Sequence, residues 1–146
     1  MSSSVVIDSN LAIFTVIDTE QSSLATRAWS FLLSSGAIFY APSLWSYETT
    51  SVIRKYCATG RLTEAEAEEA LVILDQLQIQ FVAENLKQRQ AALRWAARLR
   101  QLAAYDGFYL AAAEQLGAEF WTADRSLCNN ARQAGATWVH WLGEIP

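Results

Sequence analysis

The chain has 146 residues, of which 52% are hydrophobic and 18% charged. That is too apolar for a disordered chain, and a domain of this length buries enough surface to fold without disulfides or a structural metal. Fifteen acids against eleven bases give a net charge of −4, which excludes nonspecific coating of nucleic acid, a mode that needs a basic surface to release counterions. No apolar run approaches the ~18 residues of a bilayer span. The opening stretch to Asp8 has no basic region and does not read as a secretory signal. Cys57 and Cys128 show no metal-ligand spacing and read as free thiols of a reduced, cytoplasmic protein.

In chain order, Ser4–Ile7 is short and β-branched, a buried strand. A short helix is predicted over Asn10–Ile17. Gln21–Ser35 carries a helical stripe at Leu24, Ala28, Phe31 and Leu32, closed by Gly36. Ala37–Tyr40 is a second strand. Pro42 and Ser43 open a helix to about Ala58. Thr63 with Glu66 forms a capping box for the next helix. Ile79–Val82 is a third strand, and Asn85 caps a helix predicted to run to about Leu102. Asp106–Leu116 is a helix stopped by Gly117, Glu119–Thr122 a fourth strand, Arg125–Gln133 a helix and Thr137–Trp141 a fifth strand.

Strands alternating with helices point to a parallel sheet covered on both faces, and the continuous apolar character of the strands agrees. No linker or repeat divides the chain, so residues 1–146 read as one α/β domain. Ligands of such sheets bind beyond the carboxyl ends of the strands, at the switch point of the topology. Acids stand at those places. Asp8 follows the first strand and Asp124 the fourth; Glu48 lies two turns into the helix after the second, and Asp106 starts the helix leading into the fourth. Taken singly, Asp8 also fits a turn, and Asp106 and Asp124 fit helix N-caps. Gathered, four carboxylates raise one another's pKa or share a cation. A hard divalent ion such as Mg²⁺ or Mn²⁺ suits oxygen ligands, activates water and stabilises phosphoryl charge.

The stretches Val5–Asn10, Ala41–Glu48, Ala104–Ala113 and Phe120–Leu127 resemble, in order and spacing, the four acidic motifs of PIN-domain ribonucleases, and most closely those of the VapC toxins of type II toxin–antitoxin pairs. The resemblance covers essentially the whole chain. It implies a five-stranded parallel sheet flanked by helices on both faces and a Mg²⁺- or Mn²⁺-dependent endoribonuclease. Asp8, Glu48, Asp106 and Asp124 are the acids carried over, with Asp8, Asp106 and Asp124 as metal ligands and Asn10 and Thr122 as braces. It further implies a homodimer and a cognate antitoxin laid along the active-site groove. Two departures stand out: Ser9 replaces the commoner Thr, and Asn129 and Asn130 stand where many relatives carry a further acid, which favours one metal over two.

An acidic chain that acts on RNA needs a local basic contact. Arg125, next to Asp124, is the favoured phosphate ligand, since guanidinium pairs well with phosphate. Arg94 and Arg98 read as a solvated helix face, Trp45 and Tyr47 as core or partner groove, and His140 as structural. Two other classes compete. A haloacid-dehalogenase-type phosphatase would need an Asp where Asn10 stands. A non-catalytic PIN-fold binding module would not need all four acids.

Overall fold

The computed structural model describes residues 3–146. Met1 and Ser2, which open the stretch read as lacking a secretory signal, lie outside the described residues. In chain order the elements are β1 (Ser4–Ile7), α1 (Ser9–Val16), α2 (Ser22–Ser34), β2 (Ile38–Pro42), α3 (Leu44–Ala58), α4 (Glu64–Asp75), β3 (Gln80–Val82), α5 (Leu86–Arg98), α6 (Tyr105–Leu116), β4 (Glu119–Thr122), α7 (Arg125–Gln133) and β5 (Val139–Trp141). A short 3₁₀ turn, Leu142–Glu144, follows. All strand pairs are parallel, in the order β3-β2-β1-β4-β5. This is the sheet that the alternating pattern calls for.

The central strand explains its own sequence. Val5, Val6 and Ile7 are all buried because helices cover both faces of β1, and a strand buried on both sides has no use for alternation. On one face Trp29 of α2 stacks on Phe39 of β2 at 4.6 Å, and Phe31 lies beside Trp121 of β4. On the other, Tyr109 of α6 stacks on Phe120 of β4 at 5.6 Å. Helix α5 packs on α6 so closely that a Cβ at Gly107 would overlap the carbonyl of Ala92. Among the described residues no helix is long and apolar enough to cross a membrane.

Most boundaries shift by a residue or so from the sequence reading, and three differences have a clear structural content. Pro42 does not open a helix; it ends β2, in register with Val82 of β3. A proline is tolerated at a strand end, where no ladder donor is required. Helix α5 stops at Arg98 rather than near Leu102, with Arg100 at φ 56° and Leu102 fully exposed. A left-handed residue cannot continue a right-handed helix, and the loop turns back toward α6. Strand β5 begins at Val139, two residues later than the apolar run suggested. The capping boxes and caps at Thr63 and Asn85 form as expected, Thr63 Oγ1 accepting from Glu66 N at 3.1 Å and Asn85 Oδ1 from Gln88 N at 2.8 Å.

Candidate functional site

The chain runs β1, β2, β3 to one side and then crosses to β4 and β5 on the other, so the switch point lies between β1 and β4. Asp8 directly follows β1, and its amide donates to the Trp121 carbonyl of β4 at 3.0 Å, which holds it at that crevice. Asp124 follows β4 after one spacer and stands at the N-terminus of α7. Asp106 is in the first turn of α6. Glu48 is in the second turn of α3, which continues from β2. The four acids therefore meet at the carboxyl edge of the sheet.

Each carboxylate has its own holder. Asp8 is buried, and its Oδ2 accepts from Thr122 Oγ1 at 2.7 Å. Thr122 also accepts from the Asp124 amide at 3.0 Å and from Asn10 Nδ2 at 3.4 Å, while Asn10 Oδ1 accepts from the Ala123 amide at 3.0 Å. One hydroxyl and one side-chain amide thus tie the ends of β1 and β4 together. Glu48 Oε1 accepts from the Tyr109 hydroxyl at 2.6 Å and from Ser9 Oγ at 3.3 Å. Asp106 Oδ2 accepts from Gln101 Nε2 at 2.8 Å. Asp124 Oδ1 caps α7, accepting from the Leu127 amide at 3.0 Å. The N-cap alternative for Asp124 is thus its actual local geometry. Asp8 occupies a cap position without a capping bond, and Asp106 lies inside its helix rather than capping it.

Electrostatics couple the group. Burial, above all, pushes the Asp8 carboxyl up to about 7, and the Asp106 and Glu48 charges add to it against the Thr122 hydrogen bond. Burial likewise raises Glu48, with Asp106 contributing. Burial raises Asp106, with Asp124 contributing. Burial and then the Asp8 and Glu48 charges drive the Tyr109 phenol well above its ordinary value, so it remains a donor to Glu48. None of the four acids is in an ion pair; the salt bridges of the described residues are Arg132–Glu144 and His140–Glu119. Three buried or half-buried carboxylates and the exposed Asp124, with no salt-bridge partner among the described residues, are short of positive charge. The hard oxygen donors fit a divalent ion. As placed, however, no three acidic, histidine or cysteine side chains among the described residues stand close enough to grip one ion directly. Each carboxylate leans on its protein donor instead, so an ion here would be held partly through water, as Mg²⁺ commonly is.

The residues weighed at the margins fall out as follows. Asn130 donates to the Leu99 carbonyl at 3.1 Å and serves as a tie between α7 and the end of α5. Arg98 is not a free solvated charge: its guanidinium stacks over Trp95 at 4.0 Å and donates to the Ala134 carbonyl. Trp45 is buried against Phe81, whereas Tyr47 is exposed. His140 sits between Trp121 and Glu119, away from the acids. Arg125 is exposed and lies over Trp141 at 4.8 Å.

Sequence reasoning missed Tyr109, Ser9 and Gln101 as partners of the acids. Tyr109 was detectable, because it lies one helical turn after Asp106 and so shares its face. Gln101 was not, because its position depends on a loop that the pattern read as helix.

The comparisons agree with this fold. The PIN domain profile matches residues 5–133. No curated protein matches by sequence. Among solved structures, a toxin–antitoxin complex from Klebsiella pneumoniae is 16% identical with a TM-score of 0.67, over 97% of this chain and 99% of that one. A Mycobacterium tuberculosis VapC toxin that cleaves the sarcin–ricin loop is 15% identical with a TM-score of 0.64, over 84% and 93%. A VapBC complex from Rickettsia felis bound to a DNA fragment from its promoter is 10% identical with a TM-score of 0.68, over 94% and 98%. At these identities the likeness establishes the fold, and with the profile spanning most of the sequence, the chain belongs to the PIN domain family.

Proposed function

We propose that this chain is a metal-dependent endoribonuclease that hydrolyses RNA phosphodiester bonds, acting as the toxin of a type II toxin–antitoxin pair. PIN domains are a nuclease family, and the neighbours include a VapC toxin that cleaves an RNA loop and two toxin–antitoxin assemblies. The observation that carries the reading is the acidic quartet: Asp8, Glu48, Asp106 and Asp124 stand at one edge of the sheet, burial and neighbouring acids raise the first three, and none of the four is in a salt bridge among the described residues.

In this account Asp8, Asp106 and Asp124 hold Mg²⁺ or Mn²⁺, some through water. Bound there, such an ion supplies Lewis acidity toward a phosphoryl oxygen and a lowered water pKa. The protein's own side chains do the rest. Glu48, fixed by Tyr109 and Ser9, orients a water for in-line attack. Thr122 and Asn10 brace Asp8 and the Asp124 backbone, keeping the two strand ends at fixed separation. Arg125 contacts a backbone phosphate. The toxin reading adds a cytoplasmic location, a homodimer and a cognate antitoxin as partner.

The test is RNA cleavage in vitro. The expected result is that structured RNA is cut by the wild-type protein with Mg²⁺ or Mn²⁺, not in excess chelator, and not by Asp106→Asn. Cleavage by Asp106→Asn at the wild-type rate refutes the assignment. One observation favours a second reading, a PIN-fold module that only engages a protein partner: among the described residues no three acidic, histidine or cysteine side chains are arranged to chelate directly. Metal titration separates the two, because a pure binding module has no need of the ion.

A further inference from the structure

A cleft of about 500 Å³ opens beside the acidic site and shares Asp124 with it. Phe14 of α1, Leu24 of α2, Arg125 and Trp141 line it together with the polar Asn10 and Gln21 and the small Ala123. Arg125 is the one basic side chain in this lining, and its guanidinium lies over the Trp141 ring at 4.8 Å. The ring is held from several sides. Its backbone amide donates to Glu144 Oε1 at 3.0 Å, and Glu144 is in turn fixed by Arg132 at 2.8 Å. Gly143 makes the ring's position possible, since a Cβ there would overlap the six-membered ring of Trp141. The ring and the guanidinium over it make a cationic, aromatic surface in the lining of a cleft that also holds Asp124 and the apolar Phe14 and Leu24.

From this we infer that the cleft is a nucleobase subsite, which stacks the base of a nucleotide flanking the scissile phosphate on the Arg125–Trp141 surface. The inference rests on the nuclease reading and extends it to single-stranded RNA. A base in a duplex is already stacked, whereas an unpaired one can be splayed onto an aromatic ring or an arginine plane. The charge argument favours RNA over a peptide: the plane of Arg125 meets the base while its in-plane N–H groups remain for the phosphate, next to the acids where that phosphate must sit. It also resolves how a chain with net charge −4 retains a polyanion, through stacking plus one well-placed cation rather than a basic surface.

The test uses full-length protein carrying Asp106→Asn throughout, so that the probe survives, and measures anisotropy of two labelled single-stranded probes. One is an adenosine octanucleotide and the other an abasic chain with the same number of phosphates. The adenosine probe is expected to bind about tenfold tighter than the abasic one, from stacking. Adding Trp141→Ala or Arg125→Gln is expected to collapse that ratio, and Trp141→Phe, which keeps a ring, is expected to preserve it. Arg125 is exposed, so Arg125→Gln decides the matter even if Trp141→Ala does not fold. Equal binding of the two probes, no binding of either, or a ratio unchanged in Arg125→Gln overturns the inference; equal binding is also what a cleft shaped for a peptide would give. Cleavage by the protein without Asp106→Asn is scored separately. If it cuts RNA but the ratio is flat, only the subsite fails. If it cuts nothing while the ratio depends on Trp141, the nuclease reading fails and base binding stands.

Discussion

Replacing Asp8 by Asn should make the metal-free protein more stable while it destroys activity. Asp8 is fully buried, carries no cationic partner, and has its carboxyl pushed from 3.8 up to about 7. A folded-state pKa raised above the unfolded value means that the native protein binds more protons between those limits. Stability therefore falls as pH rises from about 4 to about 7 and stays low above. At about 1.4 kcal/mol per pKa unit, the ionised carboxylate costs on the order of 4 kcal/mol at pH 8. Asn is nearly isosteric and its Oδ1 can still accept from Thr122, but its amide meets only Ser9 Oγ, which is 3.5 Å from Asp8 Oδ1, and a poorly paired buried donor costs about 1–3 kcal/mol. The net gain is thus on the order of 1–3 kcal/mol, or a melting temperature higher by about 3–10 °C for a domain this size. Thermal unfolding followed by circular dichroism in chelator should show that gap at pH 8 and its disappearance near pH 4. Saturating Mn²⁺ should narrow it, because the ion stabilises only the protein that binds it. A variant less stable than wild type at pH 8, by an amount that does not change with pH, refutes the reasoning.

Three further outcomes follow from the same geometry. Tyr109→Phe keeps the stack on Phe120 but removes the hydroxyl from Glu48, so RNA cleavage should fall about 10–100-fold with the fold intact; an unchanged rate shows that Glu48 needs no such support. Thr122→Val removes the one hydroxyl bonded to Asp8, the Asp124 amide and Asn10, and should cost about 1–3 kcal/mol in a urea melt while lowering activity; wild-type values in both refute the bracing role. Gly107→Ala would drive a methyl into the Ala92 carbonyl, so α5 and α6 must separate, at about 1–3 kcal/mol, with a displaced Asp106 and weaker Mn²⁺ binding; a neutral effect refutes the close approach.

The architecture was legible because strands buried on both faces spell themselves out as unbroken runs such as Val5-Val6-Ile7 and Phe120-Trp121-Thr122. Acids that end such runs can be placed without coordinates, since parallel strands share one carboxyl edge. That is why the places of Asp8 and Asp124 at this edge could be read from position alone, and those of Glu48 and Asp106 from the helices that follow and precede β2 and β4. The supporting shell was not legible in the same way. Gln101 reaches Asp106 only because α5 stops at Arg98 and Arg100 takes a left-handed turn, and nothing local in Arg98-Leu99-Arg100-Gln101 announces a stop. Pro42 misled because proline suits both a helix start and a strand end, and tertiary pairing with β3 decided between them. Arg98 looked like a surface charge until α7 supplied a carbonyl and α5 a tryptophan to hold it.

The proposed activity depends on whether the four acids form a divalent-cation site despite leaning on separate protein donors. Isothermal titration of the chelator-treated protein with Mn²⁺ tests it most directly. Wild-type protein should bind the ion with a saturable isotherm, and both Asp8→Asn and Asp106→Asn should weaken or abolish it. An absent isotherm for wild type, or identical isotherms for all three proteins, would contradict the account.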